Sequence, residues 1–285
     1  MSIQIAALGR SRRGGLLLLA ALALVPSSRA EAGRPEPAPA RPPVRLVPAP
    51  PANDDSTKEG KAALSDAAAA KRAAQKLDGT ARTQALATLA DRYVELTGKD
   101  SFAAGERAEA AFRAGELLRS LERGKQADDL YARAVELGEE APAGREFAAR
   151  SLLERGHIRR RANDAEGALA LYAEVLRRFV DQRRIAATAR TWSGKVQLRA
   201  GHVEEAAAFL LGFAETYPEF AVEAVRDADL LAVAQADGGD ETAARATVDR
   251  LRREVQPVLD KGGKQAAAVQ AALDELRVTE MLAGY

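Results

Sequence analysis

Cysteine is absent from the sequence. Disulfides, thiolate metal sites and cysteine nucleophiles are therefore excluded. So is a lipid-modified N-terminal cysteine. Histidine occurs only twice, as His157 and His202, far apart and with no second ligand in register, so no metal site is expected. Aromatic residues are scarce while alanine is abundant. Such a sequence builds its cores from Ala, Leu and Val on closely packed helices. Proline is nearly absent beyond residue 51, with Pro142, Pro218 and Pro257 the exceptions. The phosphate-loop, zinc-protease, nucleophile-elbow and dinucleotide signatures are all missing. No Glu is followed by Ser, which argues against a lytic transglycosylase. The protein is expected to be neither an enzyme nor a holder of any cofactor.

The N-terminus reads as an address. Arg10, Arg12 and Arg13 precede an uncharged apolar run at 16–25, and small residues at 28–32 offer a cleavage site. Ten apolar residues fall short of the roughly 20 that a membrane-spanning helix needs. Residues 1–30 are thus expected to be a general secretory signal peptide, with an uncleaved anchor as the alternative. Its removal takes four arginines and no acids, leaving 38 basic and 41 acidic residues and a net charge near −3. That balance gives no reason to expect nucleic acid as a partner. The mature protein is expected to be periplasmic or secreted, without a stable membrane span. Residues 31–55 hold eight of the twelve prolines and read as an extended Pro/Ala-rich linker.

From residue 56 the sequence turns helical. Ser56, Thr57, Lys58 and Glu59 fit a capping box. Residues 56–100 read as a helical hairpin broken at Asp78-Gly79, with the second helix capped by Thr80. A further helix is expected from Asp100 or Ser101 to about Arg123. Residues 101–257 carry a repeat. Gly115 stands twelve residues before Ala127 and sixteen before Tyr131, with Ala134 beyond. Gly156, Ala168 and Tyr172 repeat that frame, as do Gly194, Ala206 and Leu210. The glycines lie 41 and 38 residues apart. A fainter fourth copy places Ala232, Ala244 and Val248 in the same slots. Small residues at the first two slots would let paired helices cross closely, and the Tyr would fill the wedge between pairs. Asn163 and Glu166 form a second capping-box candidate, Gly201 supplies a turn, and Pro142 and Pro218 fall between units. Pro257 and Gly262-Gly263 are expected to end the repeats, leaving one capping helix in 258–285. The fold class is all-α, a solenoid of antiparallel helix pairs.

The Gly115–Ala127–Tyr131–Ala134 frame, and Gly194, Gly201, Ala206 and Pro218, resemble the tetratricopeptide repeat. The long units and the Tyr217-Pro218 ending resemble its bacterial envelope members. Those are helical-repeat proteins of outer-membrane barrel assembly and the periplasmic coordinator associated with Tol–Pal. The large aromatic early in the first helix of that family is Ala111, Leu152 and Arg190 here. The resemblance implies a protein- or peptide-binding scaffold that uses the concave face of its first helices. Its frame places Arg119, Arg150, His157, Arg160, Arg161, Lys195 and Arg199 toward one groove. A cationic stripe of this kind suits a carboxylate, an acidic segment or the free C-terminus of a polypeptide. The bland alternative is a set of solvated charges at helix C-termini. The expected function is a non-catalytic adaptor of the cell envelope. The competing expectations are a self-associating structural module, in which the protein is an oligomer, and an all-helical hydrolase.

Overall fold

The computed structural model describes residues 57–283; the expected signal peptide and linker lie outside them. The described residues fall in one compact unit, and they contain helices and turns but no strand. A hairpin of α1 (Lys58–Ala74) and α2 (Gly79–Thr97) comes first. Four helix pairs follow: α3 (Ala104–Ser120) with α4 (Gly124–Glu140), then α5 (Arg145–Arg161) with α6 (Ala165–Arg178). In the third pair α7 (Arg183–Arg199) meets a divided partner, α8 (Val203–Leu210) and α9 (Phe213–Thr216). The fourth joins α10 (Ala221–Asp237) to α11 (Glu241–Asp260), and α12 (Gly263–Asp274) and α13 (Arg277–Ala283) complete the fold.

All four first helices have 17 residues. Successive ones pack on each other, α3 on α5, α5 on α7 and α7 on α10; α4, α6 and α8 share no comparable contact, and the second helices meet only where α9 reaches α11. The first helices therefore line the inner face of the array. This is an all-α solenoid of tetratricopeptide-like pairs.

The repeat frame is a packing rule with a different content from the expected one. A Cβ on Gly115 would lie 2.6 Å from the Tyr131 ring, and one on Gly156 would lie 2.4 Å from the Tyr172 ring. On Gly194 it would meet Leu210 at 2.3 Å. The glycine makes room for the large residue sixteen positions on, not for the alanine at twelve. Ala127, Ala168, Ala206 and Ala244 are each fully buried.

The turns within pairs share one geometry. Glu122, Asn163, Gly201 and Gly239 all have φ between 60° and 84°. In each case the next N–H reaches back five residues: Arg123 to Leu118, Asp164 to Arg159, His202 to Gln197 and Asp240 to Gln235. This is a Schellman closure, for which glycine is the favoured residue. Asn163 is thus the turn residue and no cap. The cap is Asp164, whose carboxylate accepts from Gly167 N–H at 2.8 Å. Glu122 adopts a left-handed backbone that costs an L-residue about 1–2 kcal/mol. Glu122→Gly is expected to stabilise the protein by about 0.5–1 kcal/mol after the extra entropy of glycine is subtracted. Urea denaturation at pH 7 measures it; an unchanged or lower midpoint would refute the strain.

Other ends differ from expectation. Thr57, not Ser56, caps α1, and its hydroxyl accepts from Gly60 N–H. The carboxylate that reaches back to the Thr57 N–H is Glu106 from α3, at 2.7 Å, rather than Glu59. Glu106 is buried and also accepts from Ala103 N–H, so it ties the starts of α1 and α3 together. Helix α2 starts at Gly79, ahead of Thr80, and α3 starts only at Ala104. Pro257 sits inside α11, which runs on to Asp260, so the repeat boundary drawn at 257 falls within a helix. The closing segment is two helices, divided at Glu275-Leu276.

The second helix of the third pair breaks at Leu211-Gly212, where Gly212 has φ 69°. The break frees backbone groups that partners take up. Arg190 donates to the carbonyls of Phe209 at 2.6 Å and Leu211 at 2.7 Å. Buried Glu254 accepts from Gly212 N–H at 2.7 Å. Arg190, in the slot of the family's aromatic, thus serves the break. On either side of it, α8 packs on α10 and α9 on α11.

Two pairs are fastened at their open ends by the same device. Arg145 grips Asp181 through two nitrogens, at 3.0 and 2.8 Å, donates to the Arg178 carbonyl and covers the Phe179 ring. Arg183, 38 residues on, repeats this with Glu219, the Thr216 carbonyl and the Tyr217 ring. The first pair closes differently: Gly105, Gly138 and Gly144 bring three backbones into contact. Hydrogen bonds from Arg145 and Arg183 hold the Asp181 and Glu219 carboxyls below their ordinary range. A depressed folded-state value means the clasp contributes fully above the unfolded carboxylate range near pH ~4 and is lost as pH falls through the lower folded values. Asp181→Asn should therefore lower the melting temperature at pH 7 by an amount worth about 0.5–1 kcal/mol, with the gap to wild type closing below pH ~4. Thermal melts from pH 7 to 3 test this, and a gap that persists at pH 3 would contradict it.

Candidate binding groove

The inner face between α5, α7 and α10 holds a cavity of about 410 Å3. Its position follows from the repeat. Trp192, two residues before Gly194, faces inward from α7, and Leu230 holds the same slot on α10, two before Ala232. Trp192 is the only tryptophan in the sequence. The Arg160 guanidinium lies 4.1 Å from the centre of its ring, and the Lys195 ammonium lies 5.6 Å from it. Arg199, Val196, Asn163 and Ala165 complete the wall.

His157 supports this floor from below. Its ring meets Trp192 edge-on, with centroids 5.4 Å apart, and its Nδ1 is 2.7 Å from the Tyr172 hydroxyl. Burial first, then Arg160, Arg161 and Arg119, lower its pKa to about 4. His157 is therefore a neutral packing element near pH 7. Burial pushes the Tyr172 phenol up to about 12, so that pair carries no charge.

The seven residues expected to form a basic stripe separate into groups. Lys195 lies 3.0 Å from Asp227, which is 1% exposed and also accepts from the Thr191 hydroxyl. Arg119 lies 3.5 Å from Glu154, and Arg150 pairs with Glu146. These three charges are balanced within the protein. Arg160, Arg161 and Arg199 have no acidic partner among the described residues, and the Arg160 Nε finds no acceptor. The cavity brings Arg160, Lys195 and Arg199 together; Arg119, Arg150 and Arg161 do not line it.

A second hollow of about 390 Å3 shares Lys195 and Leu230 with the first. Its far wall is the α12–α13 connection, with Glu275 and Arg277. Asp229 on α10 accepts from Arg277 at 2.8 Å and from Val278 N–H at 3.1 Å, which docks α13 there. The protein's own last helices thus border one end of the groove.

Sequence reasoning missed Trp192, Asp227 and Leu230. The signal for Trp192 was its place two before the repeat glycine. For Asp227 it was an acid amid the apolar residues of α10, within reach of a lysine on the preceding first helix. Among the described residues no group of three His, Cys, Asp or Glu is placed to hold a metal ion. No described helix is long and apolar enough to cross a membrane.

No family model matches the sequence, and no curated protein matches it. Solved structures do. A kinesin light chain of nearly identical TPR-like repeats from Podosopora anserina is 13% identical, with a TM-score of 0.50 over 72% of this protein and 100% of that one. BtubC (BKLC) from P. vanneervenii is 15% identical, with a TM-score of 0.47 over 73% of this protein and 95% of that one. At such identity the first likeness speaks for the fold alone: a TPR-like repeat array.

Proposed function

We propose that the protein is a non-catalytic interaction scaffold of the bacterial cell envelope. Residues 1–30 direct its export, residues 31–55 tether it, and the inner face of its helix pairs captures a segment of another protein. The export reading rests on the basic, apolar and small-residue order of residues 1–30. Its likeness to the barrel-assembly and Tol–Pal helical-repeat proteins rests on the long units and the Tyr217-Pro218 ending. The observation that carries the binding reading is the cavity against Trp192, where two arginines keep uncompensated charge beside apolar wall. Peptide-binding surfaces combine such apolar anchors with charged groups that set orientation and on-rate.

Arg160→Glu with Arg199→Glu reverses that charge without touching a buried ion pair. Crosslinking with mass spectrometry on intact cells should find partner peptides joined to the inner face. The double variant should reduce their recovery about tenfold or more and flatten its dependence on salt. Equal recovery from both proteins at low and high salt would exclude the groove as the capture site. Fractionation of the cells tests the location, with a cytoplasmic protein of unprocessed length as the contrary result.

A further inference from the structure

Most cations facing the groove are already paired, and this limits what can fill it. Lys195 is neutralised by Asp227 and Arg119 lies beside Glu154. Farther along, Glu116 holds both Arg113 and Lys71. Acids on α3, α5 and α10 therefore interrupt the inner face. A run of carboxylates lying along it would find the cations beside Glu116, Glu154 and Asp229 already paired, with no free charge there to receive it. Around the 410 Å3 cavity two guanidiniums, Arg160 and Arg199, stand together without an acidic partner among the described residues. The rest of that cavity is largely apolar, with Trp192, Val196 and Leu230 on its walls. Its size is that of one or two side chains rather than a helix.

We propose that this cavity takes one bulky apolar side chain with a single carboxylate one or two residues away, the apolar group against Trp192 and Leu230 and the carboxylate on the outer edge of Arg160. The inference rests on the inner face being the binding surface. The occupant is a short extended segment of a partner protein. Its carboxylate comes either from an Asp or Glu side chain or from a polypeptide terminus, which offer the same charge-assisted bonds. Trp192 keeps the pocket rigid, because His157 and Arg160 pack on the indole and Tyr172 holds His157 in turn. A preorganised apolar pocket of this kind loses little entropy on binding.

Two random heptapeptide libraries test the idea, one displayed within a carrier loop and one displayed with free C-termini. Panned on the full-length protein, they should enrich Leu, Ile, Met or Phe next to one acid or next to the terminus; which library succeeds distinguishes the side-chain source from the terminal one. The enriched peptide is then synthesised and titrated by tryptophan fluorescence, which reports this cavity alone because Trp192 is the sole tryptophan. Arg160→Gln and Leu230→Asp should each weaken binding about tenfold or more, with circular dichroism melts checking that both variants are folded. Arg199→Gln, at an exposed position, provides a third variant if Leu230→Asp fails to fold, and should weaken binding severalfold. Enriched peptides with neither an acid nor a free terminus, or with undiminished affinity for Arg160→Gln, overturn the proposed anchor and leave the scaffold reading standing. Failure of both libraries to enrich any sequence overturns the scaffold reading itself.

Discussion

Gly115→Ala is expected to destabilise the protein by about 2–3 kcal/mol, the upper range for inserting a methyl group into a filled core. The added carbon would sit 2.6 Å from a Tyr131 ring that is wholly buried and packed on Phe112. A ring so held cannot turn aside as the tip of a leucine can. The four pairs show how the conflict is resolved in nature. Where the first helix has Gly, the opposed residue is Tyr, Tyr or Leu; where it has Ala232, the opposed residue is Val248. As one partner grows the other shrinks. Tyr131→Val alone should cost about 3 kcal/mol by leaving a cavity. The double variant Gly115→Ala, Tyr131→Val should cost at least about 1 kcal/mol less than the two single changes added together. Urea denaturation of all four proteins decides it: strict additivity would mean the two slots do not share one space.

Lys195→Met is expected to cost about 3 kcal/mol, although Lys195 lies on the groove wall and reads from sequence as a free surface cation. Asp227 is buried and takes its charge compensation from Lys195. Removing one partner of such a pair strands the other, a loss of roughly 3–5 kcal/mol, and the 32% exposure of the lysine side chain places this case at the low end. Lys195→Glu, which sets two carboxylates together, should be worse. Lys195→Met with Asp227→Leu should recover most of the loss, since a buried pair is often replaced by apolar residues without penalty. Chemical denaturation provides the measurement, and a Lys195→Met variant as stable as wild type would show that the pair is idle. The consequence for binding studies is direct. A charge reversal at Lys195 would report on folding, while Arg160 and Arg199 report on the groove.

The repeat was legible because it is written in size. Glycine, alanine and tyrosine at fixed spacing are rare together, and each copy confirms the others. Helix ends were less legible where the decisive partner is distant. Glu106 reaches a cap 49 residues away, and no local pattern around Ser56 contains it. Glu59 looked like the capping acid because it stands at the right offset, yet it lies 3.7 Å from Lys99 instead. The break at Gly212 was overlooked for the same reason: one glycine in an apolar stretch is ambiguous until Arg190 and Glu254 are seen to satisfy it. Pro257 was read as an end because proline removes a helix donor, but α11 carries it one turn from its terminus. Of the groove, the family frame supplied the cations but not their neighbours. Which cation is balanced depends on acids one repeat away, such as Asp227 for Lys195.

The clasps at Arg145 and Arg183 also act as a ruler. Each measures its pair, because an arginine fixed at the start of the first helix can grip only a second helix that ends within its reach. In both clasped pairs the second helix, with its break counted in, spans 14 residues. Where the arginine is replaced by Ala104 or Ala221, the second helix runs to 17 and 20 residues. The unequal 41- and 38-residue spacings thus have a cause in single side chains. Residues could be inserted into α4 or α11 and absorbed, whereas the same insertion in α6 would tear a clasp open. The two middle pairs are the gauged part of the array, and the cavity beside Trp192 lies where they meet.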